Sequence, residues 1–209
     1  MTSRCFRLAA LFIITFVPAK LAVAQRTAVP PTEAERIFEA VGLKAGLTIC
    51  EMGAGDGDLT IAAAKIAGAD GKLYTSELGE DRIKALKEKV AESGLSQITV
   101  VGGAANKTNF PHGVCDVLFM RSVYHHFADP AAMNASIFAA VKAGARVAVV
   151  DFTPPGDEAS IPADRGKDGM HGVQPETVSR ELKAAGFEAL SSSFTDKRAF
   201  IVVVMKPRS

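Results

Sequence analysis

The sequence predicts a doubly wound α/β domain: a mostly parallel sheet covered by helices on both faces. Three observations point there. Apolar runs of strand length alternate with alanine-rich or amphipathic segments of helix length along most of the chain. Interior runs such as Val147-Ala148-Val149-Val150 lack in–out alternation, as strands buried on both faces do. A glycine-rich turn, Glu51-Met52-Gly53-Ala54-Gly55-Asp56-Gly57, separates the first strand from the helix that follows it. With 209 residues, 48% of them apolar and 22% charged, the chain fits one such domain.

Taken in order, Thr32 and Glu35 form a capping-box signature for a helix running to about Val41, expected to act as a lid or flap at the domain entrance. Leu47 to Met52 reads as a strand, Leu59 to Ile66 as a helix, Lys72 to Glu77 as a strand and Glu80 to Glu92 as an amphipathic helix. Ile98 to Val101 and Asp116 to Met120 follow as strands. A helix capped by Asp129, with Pro130 at its first position, runs to Val141. Arg146 to Phe152 is a strand with the apolar run Val147 to Val150, and Pro175 to Ala185 is a helix stopped by Gly186. Phe187 to Ser193 and Ala199 to Met205 are joined by a tight polar turn, so these two strands run antiparallel to each other. The long stretch Thr153 to Val173, rich in proline and glycine, is either a lid facing a substrate, carrying Asp164, Arg165, Lys167, Asp168 and His171, or a solvated connection.

Residues 1–24 read as a cleavable signal peptide. Arg4 and Arg7 form a basic flank, Leu8 to Val17 is apolar, and Ala22-Val23-Ala24 has the small-x-small pattern that precedes cleavage. Pro18 and Lys20 interrupt the apolar run well short of the ~20 residues that a spanning helix requires. Residues 25–35 are then a linker and the start of the first helix, with the folded domain over 36–209 and a periplasmic or secreted location; an uncleaved membrane anchor is the alternative. Without residues 1–24 the chain has 21 bases against 23 acids, a net charge of −2. That balance gives no electrostatic reason to expect nucleic acid or anionic lipid as a partner. Cys50 and Cys115 remain after cleavage. An oxidising compartment would permit a bridge between them, but regular parallel strands would hold them about three residues, or ~10 Å, apart, so two buried free thiols are expected, and neither spacing suggests a metal site.

The turn and its surroundings point to a nucleoside ligand. Glycines let the backbone turn sharply and let a ligand approach the main chain. Glu77, twenty residues after Gly57, ends the second strand, where a carboxylate can accept both ribose hydroxyls; a bland exposed strand-end acid is the alternative. A dinucleotide site prefers a third glycine where this chain has Asp58, and Asp56 adds a second acid beside the place a pyrophosphate would occupy. The P-loop lysine of nucleotide-triphosphate sites is missing. A phosphate-free, cationic nucleoside fits better than NAD or a triphosphate.

These residues resemble the class I S-adenosylmethionine-dependent methyltransferases. The resemblance rests on Val41-Gly42-Leu43-Lys44-Ala45-Gly46-Leu47 leading into Glu51-Met52-Gly53-Ala54-Gly55, on Cys115 to Phe127, and on His171 to Pro175 through Ala185-Gly186-Phe187; it spans Arg36 to Lys206 in order. It implies a Rossmann-like seven-stranded sheet of order 3-2-1-4-5-7-6 with the last strand antiparallel. It also implies S-adenosyl-L-methionine as cofactor: Gly53, Ala54, Gly55 and Gly57 against its methionine part, Glu51 supporting the turn, Glu77 on ribose and Leu78 on adenine. Around the adenine edge the chain offers Gly102-Gly103-Ala104-Ala105-Asn106, of which Ala104 and Asn106 are the candidate contacts.

Tyr124, His125 and His126, just past the fourth strand, are the candidate catalytic residues. A histidine can serve as general base near neutrality, or the pair can simply belong to the loop, one ring packed and one hydrogen-bonded. Arg121 can reach the cofactor carboxylate or an acidic substrate, or form a surface ion pair. The resulting expectation is methyl transfer to an unidentified small-molecule or protein acceptor. The alternative is a non-catalytic binding module of the same fold, raised because S-adenosylmethionine is made in the cytosol while the leader directs export.

Overall fold

The computed structural model describes residues 31–208. The signal-peptide reading of residues 1–24 lies outside them. Among the described residues, no helix is long and apolar enough to cross a membrane.

Helix α1 (Glu33–Val41) starts at Thr32, whose hydroxyl accepts the Glu35 N–H while the Glu35 carboxylate accepts the Thr32 N–H; Gly42, in the left-handed region, ends it. Then come β1 (Thr48–Met52), α2 (Asp58–Ala67), β2 (Lys72–Glu77), α3 (Glu80–Ser93), β3 (Ile98–Gly102) and β4 (Cys115–Arg121). A one-turn 3-10 helix, Tyr124–His126, precedes α4 (Pro130–Ala140); β5 (Val141–Phe152), α5 (Pro175–Ala184), β6 (Glu188–Phe194) and β7 (Ala199–Met205) complete the chain. The seven strands form one sheet in the order β3-β2-β1-β4-β5-β7-β6, and β7 runs antiparallel to both of its neighbours.

Successive residues of the central strands feed opposite faces, which is why their sequences carry no alternation. Leu118, Met120, Val147 and Val149 enter the core beneath α4 and α5. Val117, Phe119, Ala148 and Val150 enter the core beneath α1 and α2. Helix α1 is therefore part of the helical layer rather than a flap: Ile37, Phe38 and Val41 are buried, and the Phe38 ring meets Phe119 edge-on at 5.6 Å. Only its first turn reaches the mouth of the ligand cleft, where Glu33 lies.

Two further expectations are corrected. First, β5 begins at Val141 with no loop after α4, and its pairing with β4 shifts register between Cys115 and Val117. Lys206 makes this abrupt exit possible, because its ammonium donates to the Phe138 and Val141 carbonyls, which α4 leaves open. Second, Cys50 and Cys115 are joined in a disulfide, their Cα atoms 5.7 Å apart. Cys115 precedes the regular β1–β4 ladder, which begins at Val117, so the offset expected of regular strands does not apply to it.

The stretch after β5 is pinned rather than freely solvated. Arg165 is buried, donates to the Glu181 carboxylate with both terminal nitrogens (2.7 and 3.2 Å), and pairs with Glu158 at 3.1 Å. The connection is thereby clamped to α5.

Candidate functional site

In this strand order β1 lies between β2 and β4, so the chain leaves the sheet on opposite sides at β1 and its neighbour, opening a crevice at their carboxyl ends. A cleft of about 670 Å³ occupies that place, within the ~300–1,000 Å³ range of small-molecule sites. The turn after β1 forms one wall. Gly53 and Ala54 donate to the Ser76 carbonyl (2.9 and 3.0 Å), and Gly53 has φ +69°. A Cβ at Gly53 would collide with the Val123 side chain, so this wall requires glycine for both backbone angle and space.

Glu77 stands where its spacing suggested. Its Oε2 accepts the Gly55 N–H at 2.8 Å and its Oε1 accepts the Leu78 N–H at 2.8 Å, so the carboxylate bridges the glycine turn and the end of β2 while lining the cleft. Leu78 is 51% exposed, an apolar shelf at the cleft edge. Ala104 also lines the cleft, and Arg121 lines it while donating to Glu33 at 3.0 Å.

Other sequence candidates fall elsewhere. Asn106 is outside the lining, its place taken by Ala105, Lys107 and Thr108. Gly57 is not in the lining but is the N-cap of α2, with φ +79°. Glu51 lies behind the turn, 2% exposed, where its carboxylate accepts from Thr60 of α2 and from Thr75 of β2 at 3.1 Å. Burial pushes its pKa up to about 7. It therefore ties helix to strand beneath the turn rather than meeting a ligand. The acids of the turn are also rearranged: Asp58 pairs with Lys89 at 2.5 Å, and the carboxylates that face the cleft are Glu77 and Glu33.

The Tyr124-His125-His126 run divides. Tyr124 is fully buried; its hydroxyl donates to Glu181 at 3.0 Å and accepts from Asn134 at 2.7 Å, and burial, with Glu181 adding to it, holds its pKa far above the ordinary value. It is a strut between α4 and α5 and not a base at the cleft. His125 is buried as well, its Nδ1 2.8 Å from Asp151 Oδ1. His126 alone lines the cleft, and burial followed by its histidine neighbours keeps its pKa below the usual imidazole range.

Residues that the sequence reading did not assign include Ser122, Phe127 and Met133 in the lining. Ser122 has φ +55°, an uncommon angle for a side-chain-bearing residue, held by its N–H donating to the Val150 carbonyl at 2.8 Å. Asp151, the partner of His125, carried one legible signal: a lone acid at the end of an otherwise apolar strand.

Fold and site together define a doubly wound α/β domain with a cleft of small-molecule size at the switch point of its sheet. The family model for the ubiE/COQ5 methyltransferase family matches residues 33–160, and the chain belongs to that family. The "Ubiquinone/menaquinone biosynthesis C-methyltransferase UbiE" of Marinomonas sp. is 25% identical over 118 residues, 56% of this chain and 47% of the relative. The chain thus spans about half the length of the curated relatives it matches. Among solved structures, a SAM-dependent methyltransferase from Aquifex aeolicus superposes with TM-score 0.72 at 24% identity, covering 83% of this chain and 89% of that one. Phosphoethanolamine N-methyltransferase 2 of Haemonchus contortus, in complex with S-adenosyl-L-methionine, superposes with TM-score 0.70 at 15% identity, covering 84% and 52%. At these identities the structural likenesses concern the fold.

Proposed function

We propose that this chain is an S-adenosylmethionine-dependent methyltransferase acting on a small-molecule or protein acceptor. The observation that carries the reading is the Glu77 carboxylate held against the Gly53–Gly55 turn at the mouth of the cleft. A carboxylate has about four acceptor positions, so Glu77 can keep the Gly55 and Leu78 N–H groups and still receive two ribose hydroxyls. Leu78 offers an apolar face to adenine. The backbone of Gly53, Ala54 and Gly55 lies against the amino-acid part, with the Arg121–Glu33 pair at the same rim to meet its carboxylate and ammonium.

S-adenosylmethionine supplies an electrophilic methyl group on a sulfonium, so the protein's contribution is alignment and exclusion of water. Val123, Phe127 and Met133 give the acceptor end apolar walls, and His126 is the imidazole in place to take a proton from an acceptor O–H or N–H. The membership of the chain in the ubiE/COQ5 family supports the assignment. Calorimetry should give micromolar binding of S-adenosylmethionine and S-adenosylhomocysteine with no NAD binding, and labelled methyl should pass into an extract. Binding without any transfer would favour a non-catalytic module; absence of binding would remove the reading.

Export is part of the same proposal. It is supported by the basic flank, apolar run and Ala22-Val23-Ala24 site, and by a disulfide of a kind that persists in oxidising compartments. Intact-mass measurement on protein from the exported fraction should find Gln25 at the N-terminus and no free thiol.

A further inference from the structure

Three imidazoles meet beside the cleft. His125 and His126 come from the 3-10 turn after β4, while His171 comes from the clamped connection between β5 and α5. One nitrogen from each lies within 4.8 Å of the others. The ring centroids of His125 are 4.0 Å from His126 and 4.5 Å from His171. Sequence distance conceals the grouping, since His171 reaches the pair only through the fold.

The arrangement around His125 gives the cluster a chemical direction. Asp151 is buried and accepts from the His125 Nδ1 side at 2.8 Å, from the His125 backbone N–H at 3.2 Å and from the Phe152 N–H at 2.9 Å. With the carboxylate as acceptor at Nδ1, the neutral tautomer of His125 carries its proton there and presents the Nε2 lone pair. That Nε2 is buried and has no hydrogen-bond partner among the described residues. Buried polar atoms without partners are rare in folded proteins. A carboxylate on one ring nitrogen with a free lone pair on the other is how a metal-ligating histidine is oriented and made more basic.

The other two residues are exposed, and each has a ring nitrogen within 4.8 Å of the others'. His126 is backed by Gly166, where a Cβ would come within 2.9 Å of its Nδ1. His171 is held through its carbonyl by Arg198 at 3.5 Å. Three neutral imidazoles suit a borderline transition ion and not magnesium or calcium, which require oxygen ligands.

We propose that His125, His126 and His171 form a binding site for a divalent transition metal of the zinc type, with a coordination position open toward the cleft that His126 lines. An ion there would lie on the acceptor side, would engage the His126 lone pair so that His126 serves as a base only in the metal-free protein, and would favour acceptors that present oxygen or nitrogen lone pairs. The proposal does not depend on the methyl-transfer reading, since metal binding is measured without cofactor.

The test uses untagged protein stripped with a chelator, then titrated with zinc by calorimetry and with cobalt by visible absorption. One equivalent should bind at micromolar concentration, and the cobalt form should show d–d bands. His126→Ala and His171→Ala, at exposed positions, should each weaken binding at least about tenfold with circular dichroism unchanged, and Asp151→Asn should weaken it about 10–100-fold. Absence of stoichiometric zinc binding would overturn the proposal, as would binding that survives both exposed-histidine replacements unaltered.

Discussion

Glu51→Gln separates the cost of a buried charge from everything else that titrates in this protein. Glu51 is 2% exposed, its carboxylate has Thr60 and Thr75 as donors, and burial lifts its pKa from 4.5 to about 7. Between those two values the folded state holds a proton that the unfolded chain releases. The stabilisation is therefore fully present below pH 4.5, declines as pH rises, and is lost above about 7. Each pH unit corresponds to about 1.4 kcal/mol, so the interval amounts to about 3 kcal/mol. Glutamine keeps an acceptor oxygen for both threonines and cannot ionise. Urea unfolding of wild type and variant from pH 4.5 to 8.5, with the disulfide intact, isolates residue 51 because titrations not coupled to it cancel in the difference. The variant should match wild type within about 1 kcal/mol near pH 4.5 and exceed it by about 3 kcal/mol above pH 8. A difference that stays flat across the range would refute the reasoning, since Glu51 would then ionise as readily folded as unfolded.

Glu77→Ala should weaken S-adenosylhomocysteine binding by ~1.5–3 kcal/mol, about 10- to 150-fold in Kd by calorimetry, while NAD stays unbound. Unchanged affinity would remove Glu77 from the ribose site. Gly53→Ala should cost ~1–3 kcal/mol in stability from its φ of +69° alone, and more from the collision with Val123; adding Val123→Ala should recover the second part and leave the first. Full recovery in the double variant would show that backbone conformation carries no cost there. Reduction of the Cys50–Cys115 disulfide, which spans 65 residues of sequence, should lower the unfolding free energy by about 2–4 kcal/mol, read as a lower urea midpoint with two free thiols on alkylation. Oxidised and reduced protein with the same midpoint would contradict the bond's stabilising role.

Much of this protein is local in origin. Apolar runs, caps and turn residues mark the helices and strands, because hydrogen bonding within an element and its periodic burial act over a few neighbouring residues. The glycine turn and Glu77 were legible for the same reason: a backbone that needs φ above zero and an acid at a strand end are properties of short segments. The tight turn Thr195–Arg198 likewise determined that β6 and β7 pair antiparallel.

Contacts between distant segments were decided only by the assembled fold. Cys115, which lies outside the regular β1–β4 ladder, is joined to Cys50, although regular strand geometry separates them. Tyr124 and His126 are two residues apart, yet one turn of 3-10 helix sends Tyr124 into the core toward Glu181 and His126 to the cleft. Glu33, Asp151 and His171 acquire their roles from partners 88, 26 and 46 positions away, respectively Arg121, His125 and His125. Such pairings follow from which faces of which strands are buried together, a property of the whole sheet that no short window of residues contains.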